Sequence, residues 1–307
     1  MPPVVEVENL RKAYGPVKAV DGISFQVEAG ETFGMLGPNG AGKTTTVEII
    51  EGLRVADSGK VSVLGMDVSR VPGKIKERIG VQLQAPSLLP LVTVQELLEL
   101  FGNFYKKHLS PADALKLLAL EESRKVLVKN LSGGQQQRLS VALALVNDPD
   151  IAFLDEPTTG LDPQARRSLW SVIENMRTQG KTVFLTTHYM EEAEHLCDRV
   201  AIVDHGQIIA TGSPRTLIQD YFKETAIEFD MEPPPPELVL KTLPGAANIS
   251  IDRNEIIVYS CDIAATLTSL LKYAEKIEAS HKLKNLRVRE ATLEDVFLKL
   301  TGRRIRE

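Results

Sequence analysis

Two cysteines in 307 residues are too few to staple a fold. Cys197 and Cys261 lie far apart and form no Cys-x-x-Cys pair, so we expect two reduced thiols and no disulfide framework. Long apolar runs are also missing. The richest stretch, 141–146, stops at Asn147-Asp148-Pro149, well short of the roughly 18 residues that span a bilayer. The opening residues, Met-Pro-Pro-Val-Val-Glu, lack a basic segment followed by an apolar one, so no signal peptide is expected. If the protein works at a membrane, it does so through a partner. Basic charge is scarce too: 36 Lys and Arg against 41 Asp and Glu give a net charge of -5 and a pI near 5.7. That balance argues against nucleic acid as a partner. What remains is ordinary for a globular chain, with 43% hydrophobic and 25% charged residues. The length allows one large domain or two modest ones.

Short β-branched runs alternate with helical patterns from Val4 to about Leu217. Residues 5–7, 23–27, 32–36, 61–63, 79–83, 151–154, 182–186 and 200–203 read as strands. Helical patterns fall at 43–53, 95–107, 134–146, 163–179 and 190–196. Strands alternating with helices predict an α/β domain with a largely parallel core sheet. The early strands have no helices between them and fit an antiparallel β layer at one side. The segment 91–131 reads as helical throughout, an insert within the α/β pattern. After about Asp220 the character changes. Residues 233–236 are four prolines in a row, a stiff extended piece. Around them the order is strand 226–229, helix 237–242, strands 248–251 and 255–259, helix 263–274 and strand 285–289. That is βαββαβ, a ferredoxin-like pattern. A last helix starts near Leu293, with Thr292 and Asp295 as a capping box and Leu293, Val296, Phe297 and Leu300 on one apolar face. We therefore expect two domains, 1–220 and 221–307, the second an accessory α+β domain with no Gly-rich loop and no metal-ligand cluster.

Three local patterns carry chemistry. Gly37, Pro38, Asn39, Gly40, Ala41, Gly42, Lys43 and Thr44 match the phosphate-loop pattern G-x-x-x-x-G-K-[ST] at every fixed position. The glycines let successive N–H groups turn inward as an anion nest, and the helix that follows adds its positive end. The Lys43 ammonium can reach the β- and γ-phosphates, and the Thr44 hydroxyl suits Mg²⁺. Thr45 follows in the same phosphate-binding set. An apolar strand at 151–154 runs into Asp155 and Glu156. Carboxylates at the end of a buried strand are costly unless they face a charged site. Asp155 suits a Mg²⁺ shell and Glu156 suits the base for attack on a γ-phosphate. Finally, Leu131, Ser132, Gly133, Gly134 and Gln135 precede a helical pattern. Ser132 reads as its N-cap, with free N–H groups that make a second anion site.

Together these features resemble the ATP-binding subunits of ABC transporters, over about residues 4–218. The resemblance implies the ABC ATPase fold, a P-loop core with an antiparallel β layer and a helical insert, and an ATPase that uses ATP and Mg²⁺. It implies that Tyr14 stacks on adenine and that residues 37–44 are the Walker A loop. It likewise implies that residues 131–135 are the signature, 151–156 the Walker B strand with its two carboxylates, and Gly160-Leu161-Asp162 the D-loop. Gln84 matches the Q-loop glutamine, near the metal and at a hinge; Gln82 is the competing candidate, and Gln84 is preferred because it closes the strand. His188 matches the switch histidine. Catalysis then falls to Glu156, His188, Gln84 and Lys43. Ser132, Gly133, Gly134, Gln135 and Asp162 join the nucleotide contacts, and Thr44, Gln84 and Asp155 the metal. His195, His205 and His281 keep ordinary structural readings. The run Glu191-Glu192-Ala193-Glu194 reads as a solvated helix face.

In such proteins two ATP-binding domains close head to tail. The expected partners are thus a second copy and membrane-spanning permease subunits, with the chain peripheral on the inner face of the cell membrane. Rival members of the superfamily act on chromosomes or ribosomes. The former carry a long coiled coil between P-loop and signature, the latter two cassettes, and neither fits this chain. The ending Glu290-Ala291-Thr292-Leu293-Glu294-Asp295-Val296-Phe297 resembles drug- and polysaccharide-export ATPases more than importers.

Overall fold

The computed structural model describes residues 2–83, 88–276 and 283–303. The chain divides between Pro214 and Arg215 into two compact units; the sequence pattern had suggested about Asp220. The first unit holds β1 (Val5–Tyr14), β2 (Val17–Val27), β3 (Thr32–Leu36), α1 (Lys43–Ile50), β4 (Ser58–Val63), β5 (Met66–Asp67), α2 (Pro72–Lys76) and β6 (Ile79–Gln82). It continues with α3 (Val94–Gly102), α4 (Pro111–Leu117), α5 (Gly133–Leu145), β7 (Ile151–Asp155), α6 (Pro163–Thr178), β8 (Thr182–Thr187) and α7 (Met190–Leu196). β9 (Arg199–Asp204) and β10 (Gln207–Gly212) complete it, and α8 (Pro214–Tyr221) begins at the division.

Two sheets form from these strands. β2-β1-β4-β5 is antiparallel, and β10-β9-β3-β8-β7-β6 is parallel apart from β10. Every residue of β3, β7 and β8 is buried, which is why these strands read as unbroken apolar runs. In register across the sheet, Phe33 pairs with Phe184 and Phe184 with Phe153. Their rings sit 5.5 Å apart at both steps. Phe25 of the antiparallel layer stacks on Phe33 at 5.4 Å and so joins the two sheets through one core. The Val47 and Ile50 side chains of α1 belong to the same cluster.

That sheet aligns its exits. β3, β7 and β8 are parallel neighbours, so their carboxyl ends reach the same edge, with Leu36 beside Thr187 and Asp155 beside Thr186. Ligands of open α/β sheets bind at this edge. The segment between β6 and β7 is less helical than its sequence suggests. α3 stops at Gly102 rather than running to residue 107, and α4 restarts behind an N-cap at Ser110. The remainder holds short 3₁₀ turns at Glu121–Ser123 and Val128–Asn130. Glycine is a poor helix former, and Ser-Pro is a helix start rather than an interior.

The second unit contains β11 (Thr225–Asp230), α9 (Glu237–Lys241), β12 (Ala246–Asp252), β13 (Glu255–Ser260), α10 (Ile263–Lys276), β14 (Lys284–Arg289) and α11 (Leu293–Thr301). Its sheet is wholly antiparallel in the order β12-β13-β11-β14, the ferredoxin-like arrangement. Ile227, Phe229, Ile256 and Val258 pack on Leu240 of α9 and Leu270 of α10. Strand alternation sends Glu228 and Tyr259 to the opposite face. There Arg289 donates to Glu228 at 2.7 Å and to Asp295 at 2.5 Å, and Tyr259 donates to Asp295 at 2.7 Å. The buried Asp295 carboxylate also accepts from the Thr292 N–H at the start of α11. Among the described residues, no helix is long and apolar enough to cross a membrane.

Candidate functional site

The loop between β3 and α1 is shaped by close backbone approach. Gly42, the N-cap of α1, has φ 103° and lies so near the Ala19 carbonyl that a Cβ would sit 2.1 Å from its oxygen. At Gly37 a Cβ would meet the Val203 carbonyl oxygen at 2.2 Å. Neither position has room for a side chain. The α1 N-cap has no side-chain partner, so the first N–H groups of the helix are available to an anion.

Lys43, Glu156 and His188 converge beside this loop. Lys43 is buried, and its Nζ donates to the Gly37 carbonyl at 2.8 Å and the Pro38 carbonyl at 3.2 Å. Glu156 Oε1 lies 3.4 Å from the same nitrogen. Its other oxygen, Oε2, is 3.2 Å from His188 Nδ1 and accepts from Thr159 Oγ1 at 3.2 Å. Burial alone would raise the Glu156 pKa, but Lys43 and His188 outweigh it and hold the carboxyl below its ordinary value. Burial lowers the Lys43 pKa, with Glu156 and Asp155 opposing. Glu156 occupies a left-handed backbone position, φ 48°. Its N–H is fixed there by the Thr186 carbonyl at 3.2 Å and Thr186 Oγ1 at 3.0 Å. Such a conformation is disfavoured for a non-glycine residue and points to a constraint at a working site.

Asp155 closes β7. Its Oδ1 accepts from Thr186 Oγ1 and lies 3.5 Å from Thr44 Oγ1. Burial raises its pKa, and these hydroxyls counter the rise. Thr186 thus holds both the Asp155 carboxylate and the Glu156 backbone. It is one of the residues that sequence reasoning missed, although a threonine at the end of the strand before His188 was visible. Glu51 was missed as well. It is buried at the C-terminus of α1, where desolvation and then the Asp155 and Glu48 charges push its pKa up to about 8.

Other expected residues are placed differently. Ser132 is the N-cap of α5, and Gln135 completes a capping box with it, the Ser132 N–H reaching Gln135 Oε1 at 2.9 Å. Gln135 Nε2 also donates to Ser123 Oγ at 3.1 Å. Gly133 is exposed and Gly134 half-buried. Among the described residues, no hydrogen bond or ion pair ties 132–135 to the loop at 37–44. Asp162 caps α6, its Oδ1 accepting from the N–H groups of Gln164 and Ala165, each at 2.9 Å. Tyr14 is partly exposed at the end of β1, with Arg54 and Lys12 over its ring at 5.4 and 5.7 Å. Thr45 is half-buried in α1, and Asn39 and Gly40 are exposed at the loop's tip. Gln84 lies outside the described residues. Gln82 is buried at the end of β6, donating to the Leu83 carbonyl at 2.8 Å and the Asp155 carbonyl at 3.4 Å.

The acidic run in α7 requires a correction. Glu191 is exposed, but Glu192 is wholly buried and accepts from Thr158 Oγ1 at 2.8 Å and Trp170 Nε1 at 3.1 Å. Its donors come from distant parts of the chain, so no local pattern marks it.

Comparison with known proteins follows the same lines. A family model described as ABC transporter matches residues 20–159. The Nod factor export ATP-binding protein I of Ralstonia nicotianae is 40% identical, over 99% of this chain and 96% of its own. Its counterpart from Paraburkholderia xenovorans is 39% identical over 99% and 98%. Among solved structures, a dimeric ATP-binding cassette in a post-hydrolysis state with ADP and Pi is 29% identical. It aligns with a TM-score of 0.63 over 68% of this chain and 98% of that one. The cbiO1 subunit from Clostridium perfringens, part of an ABC transporter complex, is 28% identical, with a TM-score of 0.65 over 72% and 92%. A match at this identity that runs almost end to end in both chains shows the family: the protein is an ATP-binding, ATP-hydrolysing subunit of an ABC transporter.

Proposed function

We propose that the chain powers export by closing against a second copy when ATP binds and reopening after hydrolysis. The observation that carries the hydrolytic step is the convergence of Glu156 on Lys43 at 3.4 Å and His188 at 3.2 Å. In this reading the ATP phosphates enter the N-terminus of α1, and Lys43 Nζ leaves the Gly37 and Pro38 carbonyls for phosphate oxygens. Tyr14 supports the adenine. Glu156, kept ionised by its neighbours, takes a proton from water as the water oxygen attacks the γ-phosphorus and the bond to ADP breaks. His188 holds the γ-phosphate, and Gln84 senses it. Thr44 and Asp155 offer a hydroxyl and a carboxylate oxygen 3.5 Å apart, hard donors that fit Mg²⁺, a cation that fills its remaining positions with water and substrate phosphate. When bound, that ion supplies charge neutralisation on the phosphates.

Among the described residues, no hydrogen bond or ion pair ties the N-terminus of α5 at Ser132–Gln135 or the D-loop at Asp162 to their own phosphate loop. A second copy would bring its own Ser132, Gly133 and Gly134 to the γ-phosphate. ATP then joins two subunits, and its hydrolysis releases them. The 91–131 segment would carry that motion to membrane-spanning permease subunits at the inner face of the cell membrane. Export is the direction supported by relatives named for Nod factor export.

Glu156→Gln tests the assignment. Phosphate release should fall by about 10²–10⁴-fold, while ATP binding persists and an ATP-bound dimer accumulates in size-exclusion chromatography. Wild-type turnover in this variant would overturn it. The membrane protein that co-purifies with the chain identifies the permease.

A further inference from the structure

His188 stands one residue beyond β8, where the sheet no longer fixes it. Its Nδ1 meets Glu156, but one contact does not orient an imidazole that turns about two bonds. The second constraint is Tyr189, whose ring centroid lies 4.2 Å from that of His188 with the planes 39° apart. Tyr189 is itself held. Its N–H donates to Thr187 Oγ1 at 2.9 Å, and the Arg166 guanidinium carbon lies 4.4 Å from its ring. Arg166 belongs to the first turn of α6, its N–H bonded to the Asp162 carbonyl at 3.0 Å.

A parallel tie runs one turn further along both helices. Glu192 of α7 accepts from Trp170 of α6 and from Thr158. Thr158 and Asp162 lie in the segment that leaves Glu156. Both ties therefore join the segment that follows His188 to the stretch that leaves Glu156. A leucine at position 189 would fill similar space, but it would offer neither a π face for the guanidinium nor a flat surface for the imidazole.

We propose that Tyr189, backed by Arg166, is a positioning residue for hydrolysis that holds the His188 imidazole where Nδ1 meets Glu156. This rests on the reading of His188 given above. The test uses the full-length protein. Tyr189→Leu should lower kcat by about three- to tenfold, the worth of one aromatic pair, with KM for ATP unchanged. Tyr189→Phe, which keeps the ring contact, should restore kcat. In a His188→Ala background Tyr189→Leu should have no further effect. Wild-type kcat in Tyr189→Leu, or an equal loss in the His188→Ala background, would overturn the proposal. Wild-type turnover in His188→Ala would instead remove the reading on which it rests.

A measurement on the unaltered protein decides the matter even if the leucine variant does not fold. With ring-labelled histidine, the His188 resonance, assigned through His188→Asn, should be displaced by the Tyr189 ring current. A His188 resonance at the position of a free imidazole would overturn the ring contact.

Discussion

Replacing Glu51 by glutamine should flatten the dependence of stability on pH. Glu51 is 2% exposed, and burial together with the Asp155 and Glu48 charges raises its pKa from 4.5 to about 8. Between those values the folded protein keeps a proton that the unfolded chain has released. Stability from this group is therefore complete below pH 4.5 and is lost as pH climbs towards 8, at no more than about 1.4 kcal/mol per pH unit. The span from 4.5 to about 8 caps the loss at about 5 kcal/mol. Glutamine keeps the shape of the neutral acid and does not titrate. Near pH 5 the melting temperatures of the two proteins should differ least. At pH 8 the variant should melt higher, by roughly 2–4 °C for each kcal/mol relieved. Thermal melts by circular dichroism from pH 5 to 8.5, without nucleotide, would show the curves diverging. Parallel curves across that range would refute a buried, protonated Glu51.

Gly42→Ala should abolish ATP binding and lower stability by at least about 1–3 kcal/mol, because its Cβ would press on the Ala19 carbonyl at a φ of 103°; a normal calorimetric titration would contradict it. Lys43→Ala should lose most nucleotide affinity, and unchanged binding heats would rule out its phosphate role. In the second unit, Asp295→Ala removes one partner from the Arg289 guanidinium, which Glu228 still holds, and one from the Tyr259 hydroxyl. It should cost about 1–3 kcal/mol, seen as a lower urea midpoint by circular dichroism.

Much of the fold was open to sequence reading because its central strands are covered on both faces. β3, β7 and β8 announce themselves as apolar runs, and the second unit's alternation is regular enough to give its strand and helix order. β10, with the sequence Gln-Ile-Ile-Ala-Thr-Gly, and β5, only Met66–Asp67, carry too little local signal. The segment 91–131 looked helical because its apolar spacing is helical, yet Gly102 and Ser110-Pro111 interrupt it. The phosphate loop, Asp155, Glu156 and His188 were legible because each follows the end of a strand in sequence. Thr186, Glu51 and Glu192 were not. Their roles come from partners supplied by tertiary packing, as Thr158 and Trp170 do for Glu192 from 34 and 22 residues away.

Trp170 is the chain's single tryptophan, and it is buried. Its indole N–H is bonded to Glu192, and its ring lies 4.7 Å from that of His195. Indole emission responds to the polarity and hydrogen bonding of its surroundings, and here no second fluorophore of that kind obscures it. The protein thus carries an intrinsic optical gauge on the α6–α7 seam. A stopped-flow trace of that light could follow each ATP-driven rearrangement in unlabelled protein, in detergent or in a lipid membrane.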